Sequence, residues 1–174
     1  MQTFIDTLRR TGGLEALAQR TGLSAIATRR CVEVLLPLVS GGIKRLAERD
    51  SGVSARSDVA VPDALCQLLE EHGGAELAAA VLSDTDHAAG DVLTSAIFGD
   101  ADAISAVCVA SAEKSEVSVE TSRTMLPLLL MLIGGYISAI SSGQPDDRQH
   151  VHALLELDVP DNALDSVLPR QSGI

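Results

Sequence analysis

The sequence predicts an all-α protein, a compact multihelical bundle with two long helices that each contain a kinking proline. Apolar residues recur at spacings of three and four rather than two, as at Phe4, Ile5 and Leu8, which is the helical period. The composition is that of a folded domain, with 46% hydrophobic and 21% charged residues. A chain of 174 residues can form one core without disulfides or metals.

The first two elements are short amphipathic helices separated by the glycine pair at 12–13. Ser24 is a good N-cap for a long helix from about Ala25 to Arg49. Pro37 lies inside it, and a proline removes one backbone hydrogen bond of a helix, so we expect a kink or a break near Leu36.

The middle of the chain predicts a loop over residues 50–60, because no apolar period is present there. Further helices are expected at 64–71, 75–82, 87–97 and 101–112. Ser118 caps a second long helix, from 119 to about 141, which contains Pro127. Weak helices are expected at about 149–157 and 161–167.

Charge divides the chain into three parts. Residues 1–49 form a basic helical half with eight basic and four acidic side chains, whereas the whole chain has a net charge of −11. Residues 61–142 form an acidic helical half that we expect to pack on the first as one domain, and residues 143–174 form a weakly helical tail. A basic half can mark a nucleic-acid or protein partner, or can simply face the acidic half.

The two long helices share a pattern that suggests an internal duplication. Each begins at a serine cap, continues to a Leu-Pro-Leu segment (36–38 and 126–128) and then to a glycine pair (41–42 and 134–135). We interpret the prolines and glycines first as packing devices, since they bend a helix and allow close approach. A hinge or a dimer contact is the alternative.

An uncharged stretch of 22 residues lies between Arg123 and Asp146. Its length would allow a membrane span, but its continuous apolar part is short and has no flanking basic cluster or aromatic belt, so we predict a buried central helix. If part of this helix is exposed, it is the candidate interface with a protein partner. The residues of that interface would be Leu128, Met131, Leu132 and Tyr136.

A helix-turn-helix pattern spans residues 14–35, LEALAQRTGLSAIATRRCVEVL. Its second helix would present Arg29 and Arg30, as a recognition helix presents basic residues to a major groove. Against DNA binding, that helix continues beyond the usual length, and Thr21 and Thr28 occupy positions that are usually apolar. The same motif is often used only for packing.

The sequence predicts no enzyme, no cofactor and no metal site. His150 and His152 with two nearby aspartates form its only histidine and carboxylate cluster, but residues two apart diverge on a helix and no third ligand has metal spacing. The three cysteines, Cys31, Cys66 and Cys108, have no paired spacing and are expected to be buried hydrophobes. Aromatic residues are only 2%, which argues against base-stacking modules.

Residues from about 12 to 142 resemble the YidB-like family of bacterial domains of unknown function. The resemblance is carried by LAQRTGLS and LLPLVSGGI, by GDVLTSAIFGD at Gly90–Asp100, and by the apolar MLPLLLMLIGGYI. It implies a compact, all-helical, cytosolic bacterial protein and no particular activity. The chain differs from the family pattern at 114–118, where it has no glycine.

These observations lead to two functional hypotheses. The first is a non-catalytic interaction or scaffold protein in the cytoplasm whose partner is another protein or a second copy of itself. The alternative is a helix-turn-helix DNA-binding regulator that uses Arg29 and Arg30. The strongly negative net charge disfavours nucleic acid and anionic membranes as partners.

Overall fold

The computed structural model describes residues 4–51, 67, 69–71, 76–82 and 88–141. Within these ranges it contains helices and no strand, which confirms the all-α multihelical class. The helices are α1 (Phe4–Thr11), α2 (Gly13–Thr21), α3 (Ala25–Ser51), α4 (Glu76–Leu82), α5 (Ala88–Phe98), α6 (Ala101–Ser115) and α7 (Val119–Ser141).

Helix α7 forms the centre of the described bundle. It packs against α2, α3, α4, α5 and α6, and every residue from 125 to 135 is buried. A helix with apolar side chains on all sides is removed from water only when other helices cover every side of it. The prediction of a buried central helix is therefore confirmed for this stretch.

No single helix in the described part of the chain is long and apolar enough to cross a membrane. Among the described residues, one pair of helices is long and apolar enough when taken together, Ala88–Phe98 with Ala101–Ser115, and these two helices are bent by 99° relative to each other.

The first three helices are joined by glycines in the left-handed region. Gly12 (φ 81°) separates α1 from α2, and Gly22 (φ 69°) ends α2, where a residue with a Cβ would be strained. The Oγ of Ser24 then accepts a hydrogen bond from the backbone N–H of Ala27 at 3.2 Å. The predicted glycine break and the predicted serine cap are both confirmed.

The internal prolines do not end their helices. Helix α3 runs without interruption from Ala25 to Ser51 and includes Pro37, and α7 includes Pro127. Of the kink or break expected near Leu36, the break is wrong, because packing of the buried residues on both sides of the proline stabilises the helix more than one missing hydrogen bond destabilises it. The kinks at the two prolines stay a prediction. Asp50 and Ser51, expected in a loop, belong to α3.

The helices predicted at 75–82, 87–97 and 101–112 are present as α4, α5 and α6, and their ends differ from the predicted ends by at most three residues. Of the helix predicted at 64–71, residues 67 and 69–71 are described and are helical. The rest of the predicted loop, at 52–60, and the two tail helices lie outside the described residues. The internal duplication stays a prediction.

The N-terminal helices pack directly on the later ones. Helix α3 contacts α5, α6 and α7, and α2 contacts α4 and α7. The thiol of Cys31 in α3 lies 3.8 Å from the Oγ of Ser111 in α6, and both are fully buried. The basic and acidic halves therefore share one core where both are described.

Helix α6 begins at a side-chain cap. The Oδ1 of Asp100 accepts a hydrogen bond from the backbone N–H of Ala103 at 2.8 Å, and its carboxylate also faces the positive end of the helix dipole. Replacing Asp100 by alanine should lower the free energy of unfolding by about 1 kcal/mol. Chemical denaturation measures this loss, and Asp100→Asn, which keeps the accepting oxygen, should retain most of the stability.

Candidate interaction surface

The apolar interface expected on α7 is not available for binding at the positions that the structure describes. Leu128 is 2%, Met131 1% and Leu132 2% exposed. Their exposure was the condition for this interface, so we correct that expectation: neighbouring helices cover these three side chains, which belong to the core. The side chain of Tyr136, the fourth residue of the set, lies outside the described part.

The two arginines expected on the second helix of the helix-turn-helix lie on the outer face of α3. The Nε of Arg29 is 2.9 Å from the Oε1 of Glu33, one turn further along the same helix. The Nη1 of Arg30 is 3.3 Å from the Oε2 of Glu116, at the end of α6. Because both pairs are largely exposed to solvent, each contributes only about 0–1 kcal/mol to stability.

An exposed isoleucine lies on the same face as the arginines. Ile26 is 71% exposed, the highest value among the large apolar residues that the structure describes. It is three and four residues before Arg29 and Arg30, so helical geometry places the three side chains together. Sequence reasoning missed Ile26, although the helical spacing of the apolar residues Cys31, Val32 and Leu35, which are buried, could have indicated that position 26 faces outward.

Glu116 has the backbone conformation that normally selects glycine. Its φ is 60°, and it is the only residue other than glycine with a positive φ in the described part of the chain. A left-handed conformation costs a residue with a Cβ about 1–2 kcal/mol. The sequence showed that no glycine is present here, and the structure shows that the carboxylate at this position faces Arg30.

The contacts of α3 with α6 show which end of the bundle carries this surface. Arg30, near the start of α3, meets Glu116 at the end of α6, and Gly42, further along α3, lies against Phe98, just before α6 begins. The two helices are therefore antiparallel. The start of α3 therefore lies beside the end of α6 and the start of α7, where Val119 is 38% exposed. We call Ile26, Arg29, Arg30, Glu116 and Val119 the α3 end surface.

A third arginine of the basic half has a structural role instead. The Nη2 of Arg20 donates hydrogen bonds to the backbone carbonyl oxygens of Ala80 and Val81, at 3.1 and 3.0 Å. These carbonyls belong to the last turn of α4, where the negative end of the helix dipole favours a cation. Arg20 thus joins α2 to α4 and is not part of the α3 end surface.

The described residues contain no group of three histidine, cysteine or acidic side chains that could hold a metal ion. Burial raises the pKa of the Cys31 thiol, and two serine hydroxyls oppose this effect only in part. Burial likewise raises the pKa of Cys108, although the guanidinium of Arg123 acts in the opposite direction. Both thiols are therefore protonated at neutral pH, which makes them poor nucleophiles. The histidines at 150 and 152, and Cys66, lie outside the described residues.

Comparisons of this chain with protein families, with curated protein sequences and with solved structures find no match.

Proposed function

We propose that the protein is a non-catalytic interaction protein and that the α3 end surface binds another protein. The observation that carries the proposal is the 71% exposure of Ile26 on a helix face that also carries Arg29 and Arg30. A single exposed apolar side chain is common on protein surfaces, but arginine is enriched among the residues that contribute most to binding at protein interfaces. The partner class is a protein surface with an apolar recess and polar groups of both signs, since Arg29 and Arg30 lie beside Glu33 and Glu116.

The conformation of Glu116 also supports this location. Non-glycine residues in the left-handed region persist where the surrounding structure holds them, and they cluster at functional sites. Glycine at 116 would relieve the strain but would remove the carboxylate that faces Arg30. Glu116 is the left-handed C-cap of α6, with its backbone N–H bonded to the carbonyl oxygen of Ala112, and it also places a carboxylate beside Arg30.

DNA binding through the helix-turn-helix is the second candidate function. The presence of two arginines near the start of its second helix favours it, since such residues contact bases and phosphates. The carboxylates of Glu33 and Glu116 lie next to both arginines and would repel phosphates. The proposal therefore ranks a protein partner first.

The proposal places the protein in the cytoplasm. Cys31 and Cys108 are free thiols in the structure, which fits a reducing compartment. The resemblance to the YidB-like family agrees with a cytosolic bacterial protein and adds no activity.

The test is capture of partners by the tagged full chain and by Ile26→Asp, from the native cell, with nuclease added to half of each sample. We expect a stoichiometric protein that survives nuclease, and we expect Ile26→Asp to weaken its binding about tenfold or more, because truncating a central interface residue costs about 1–2 kcal/mol or more. The matched control is Val92→Asp, the same change at an exposed apolar residue of α5, which should bind normally.

Two results would contradict the proposal. If Ile26→Asp and Val92→Asp lost the partner equally, the loss would result from general destabilisation and not from a change in the α3 end surface. Recovery of nucleic acid alone, lost on digestion, would instead favour the DNA-binding regulator. Light scattering at high protein concentration gives the molar mass in solution and so shows whether the partner is a second copy of this chain. A strict monomer would exclude self-association.

A second test uses Glu116→Gly. Relief of the left-handed strain should raise the free energy of unfolding by about 0.5–1 kcal/mol, while loss of the carboxylate changes the charge beside Arg30. We therefore expect a more stable protein that captures less partner, as measured by denaturation and by the same capture assay. Glu113→Gln, an exposed carboxylate of α6 outside the surface, is the control and should leave capture unchanged.

A further inference from the structure

We infer that the protein bound at the α3 end surface is a second copy of this chain, with the two α3 helices antiparallel across a two-fold axis. The inference rests on the proposed function and names the occupant of the same surface. Four residues of α3 carry the contact, Ile26, Arg30, Glu33 and Pro37, and we call them the α3 seam. It depends on where they lie, on the order of their chemistry and on the exposure of their ion pairs.

The four residues of the α3 seam lie along one line of the helix. They are separated by four, three and four residues, the spacing that keeps side chains on the side of a helix that packs against another helix. At about 100° per residue they fall within about 60° of the helix circumference. Ile26, Arg30 and Glu33 are exposed and Pro37 is partly exposed, whereas the buried residues of α3 belong to the core. The seam therefore faces outward over about three turns.

The order of the α3 seam is complementary to its own reverse. Separations of four, three and four residues are the same in both directions, so two antiparallel copies bring the first position opposite the last and the second opposite the third. Ile26 then meets Pro37 of the second copy, and Arg30 meets Glu33 of the second copy. An apolar residue lies opposite an apolar residue and a cation opposite an anion, and the two-fold axis repeats each contact.

The ion pairs within one molecule are compatible with this contact. The side chain of Arg30 is 60% exposed and that of Glu116 is 80% exposed, while Glu33 is 42% exposed beside Arg29. Exposed ion pairs contribute little, so they can be shared or exchanged at small cost. The two arginines and two glutamates balance each other, so the paired surfaces carry no net charge, although the whole chain has a net charge of −11.

Pro37 also provides an acceptor on the α3 seam. Proline has no backbone N–H, so Pro37 cannot donate a hydrogen bond to the carbonyl oxygen of Glu33, four residues before it in the helix. In the antiparallel arrangement Arg30 of the second copy lies opposite Glu33. Its guanidinium carries five N–H donors, enough to donate both to the carboxylate and to this carbonyl oxygen. The position of the proline thus strengthens the central contact.

The contact is small, so we expect a reversible dimer. The α3 seam is about 17 Å long, and polar residues at the centre of a helix pair fix its alignment at a cost in affinity. Small interfaces of this kind form weak complexes. We therefore expect a dissociation constant of about 100 μM for the parent chain.

The experiment is sedimentation equilibrium of the full chain from about 10 μM to about 1 mM, a range that brackets this dissociation constant. Arg30→Glu and Glu33→Arg each place like charges opposite each other twice, so each variant alone should associate at least about tenfold more weakly than the parent. An equimolar mixture of the two variants brings opposite charges together again at both positions. The mixture should associate as tightly as the parent, and so should the double variant that carries both changes.

Replacement of the apolar contact gives an independent readout. Ile26→Asp should weaken association at least about tenfold, because the change occurs twice in the dimer, and the matched change Val92→Asp should leave it unchanged. A parent chain that is monomeric at about 1 mM would overturn the inference. A dimer that the charge reversals leave intact, or that the mixture of reversed variants does not restore, would overturn the antiparallel contact of α3.

The outcome is separable from that of the proposed function. A monomeric chain that captures a different protein, released by Ile26→Asp, would support the proposed function and overturn the second copy as its partner. A dimer that the mixture of reversed variants restores, without capture of a different protein, would support the inference and limit the α3 end surface to self-association. A different partner could not produce this restoration, because its own charges stay the same in both variants.

Discussion

Replacing Leu128 by alanine is expected to lower the free energy of unfolding by about 2–5 kcal/mol, the range for deletion of a fully buried leucine. Leu128 is 2% exposed and lies in the middle of α7, the helix that contacts five others. Removing its branched end leaves a cavity that tightly packed neighbours refill only in part. Urea denaturation of the two proteins, followed by helical circular dichroism, measures the difference.

This variant separates a core residue from an interface residue. If Leu128 were an interface residue, its side chain would be exposed in the free protein. Its replacement would then weaken binding of the partner and leave the free energy of unfolding unchanged. Val109→Ala in α6, at 39% exposure, is the control and should change the free energy by less than about 0.5 kcal/mol. A stability of Leu128→Ala equal to that of the parent would contradict the buried position of α7.

Replacing Gly90 by alanine is expected to destabilise the fold by about 2–3 kcal/mol, against the usual preference of helices for alanine. A Cβ at Gly90 would lie 2.6 Å from the carbonyl oxygen of Pro127 and 2.9 Å from its carbonyl carbon. These are backbone atoms of the central helix, so α5 can make room only by moving away from α7. Thermal or chemical unfolding gives the change.

Two control variants make the sign of this result informative. Ser95→Ala, at an exposed position of the same helix, should be neutral or slightly stabilising. Gly134→Ala should cost less than Gly90→Ala, because its nearest contact is Leu69 Cδ2 at 2.5 Å, the end of a flexible side chain. A stabilising Gly90→Ala would show that α5 does not approach α7 so closely.

The buried thiols give the stability a pH dependence with a defined sign. Burial raises the pKa of Cys31 and of Cys108 above their ordinary value of 9.0 in the folded state. Their contribution to stability is therefore complete below that value and is lost as the pH rises through the higher pKa of the folded protein. Acidic conditions should leave this contribution unchanged.

The sequence by itself determined the helical class, most helix boundaries and the caps at Ser24 and Ser118, but not the cap at Asp100. Periodic apolar residues, Ser24, Ser118 and the glycines at 12 and 22 act through local backbone chemistry, which depends little on distant residues. The apolar stretch of α7 also predicted its own burial, since a helix without a polar face needs cover on all sides.

Only the tertiary structure decided which side chains are exposed and which charges meet. Pro37 does not break α3, because packing on both sides outweighs one lost hydrogen bond. Leu128, Met131 and Leu132 belong to the core, and Ile26 lies outside it. Arg30 meets Glu116, 86 positions away along the chain. Such contacts depend on how helices are arranged around α7, and local periodicity carries no information about the partner that a given face will find.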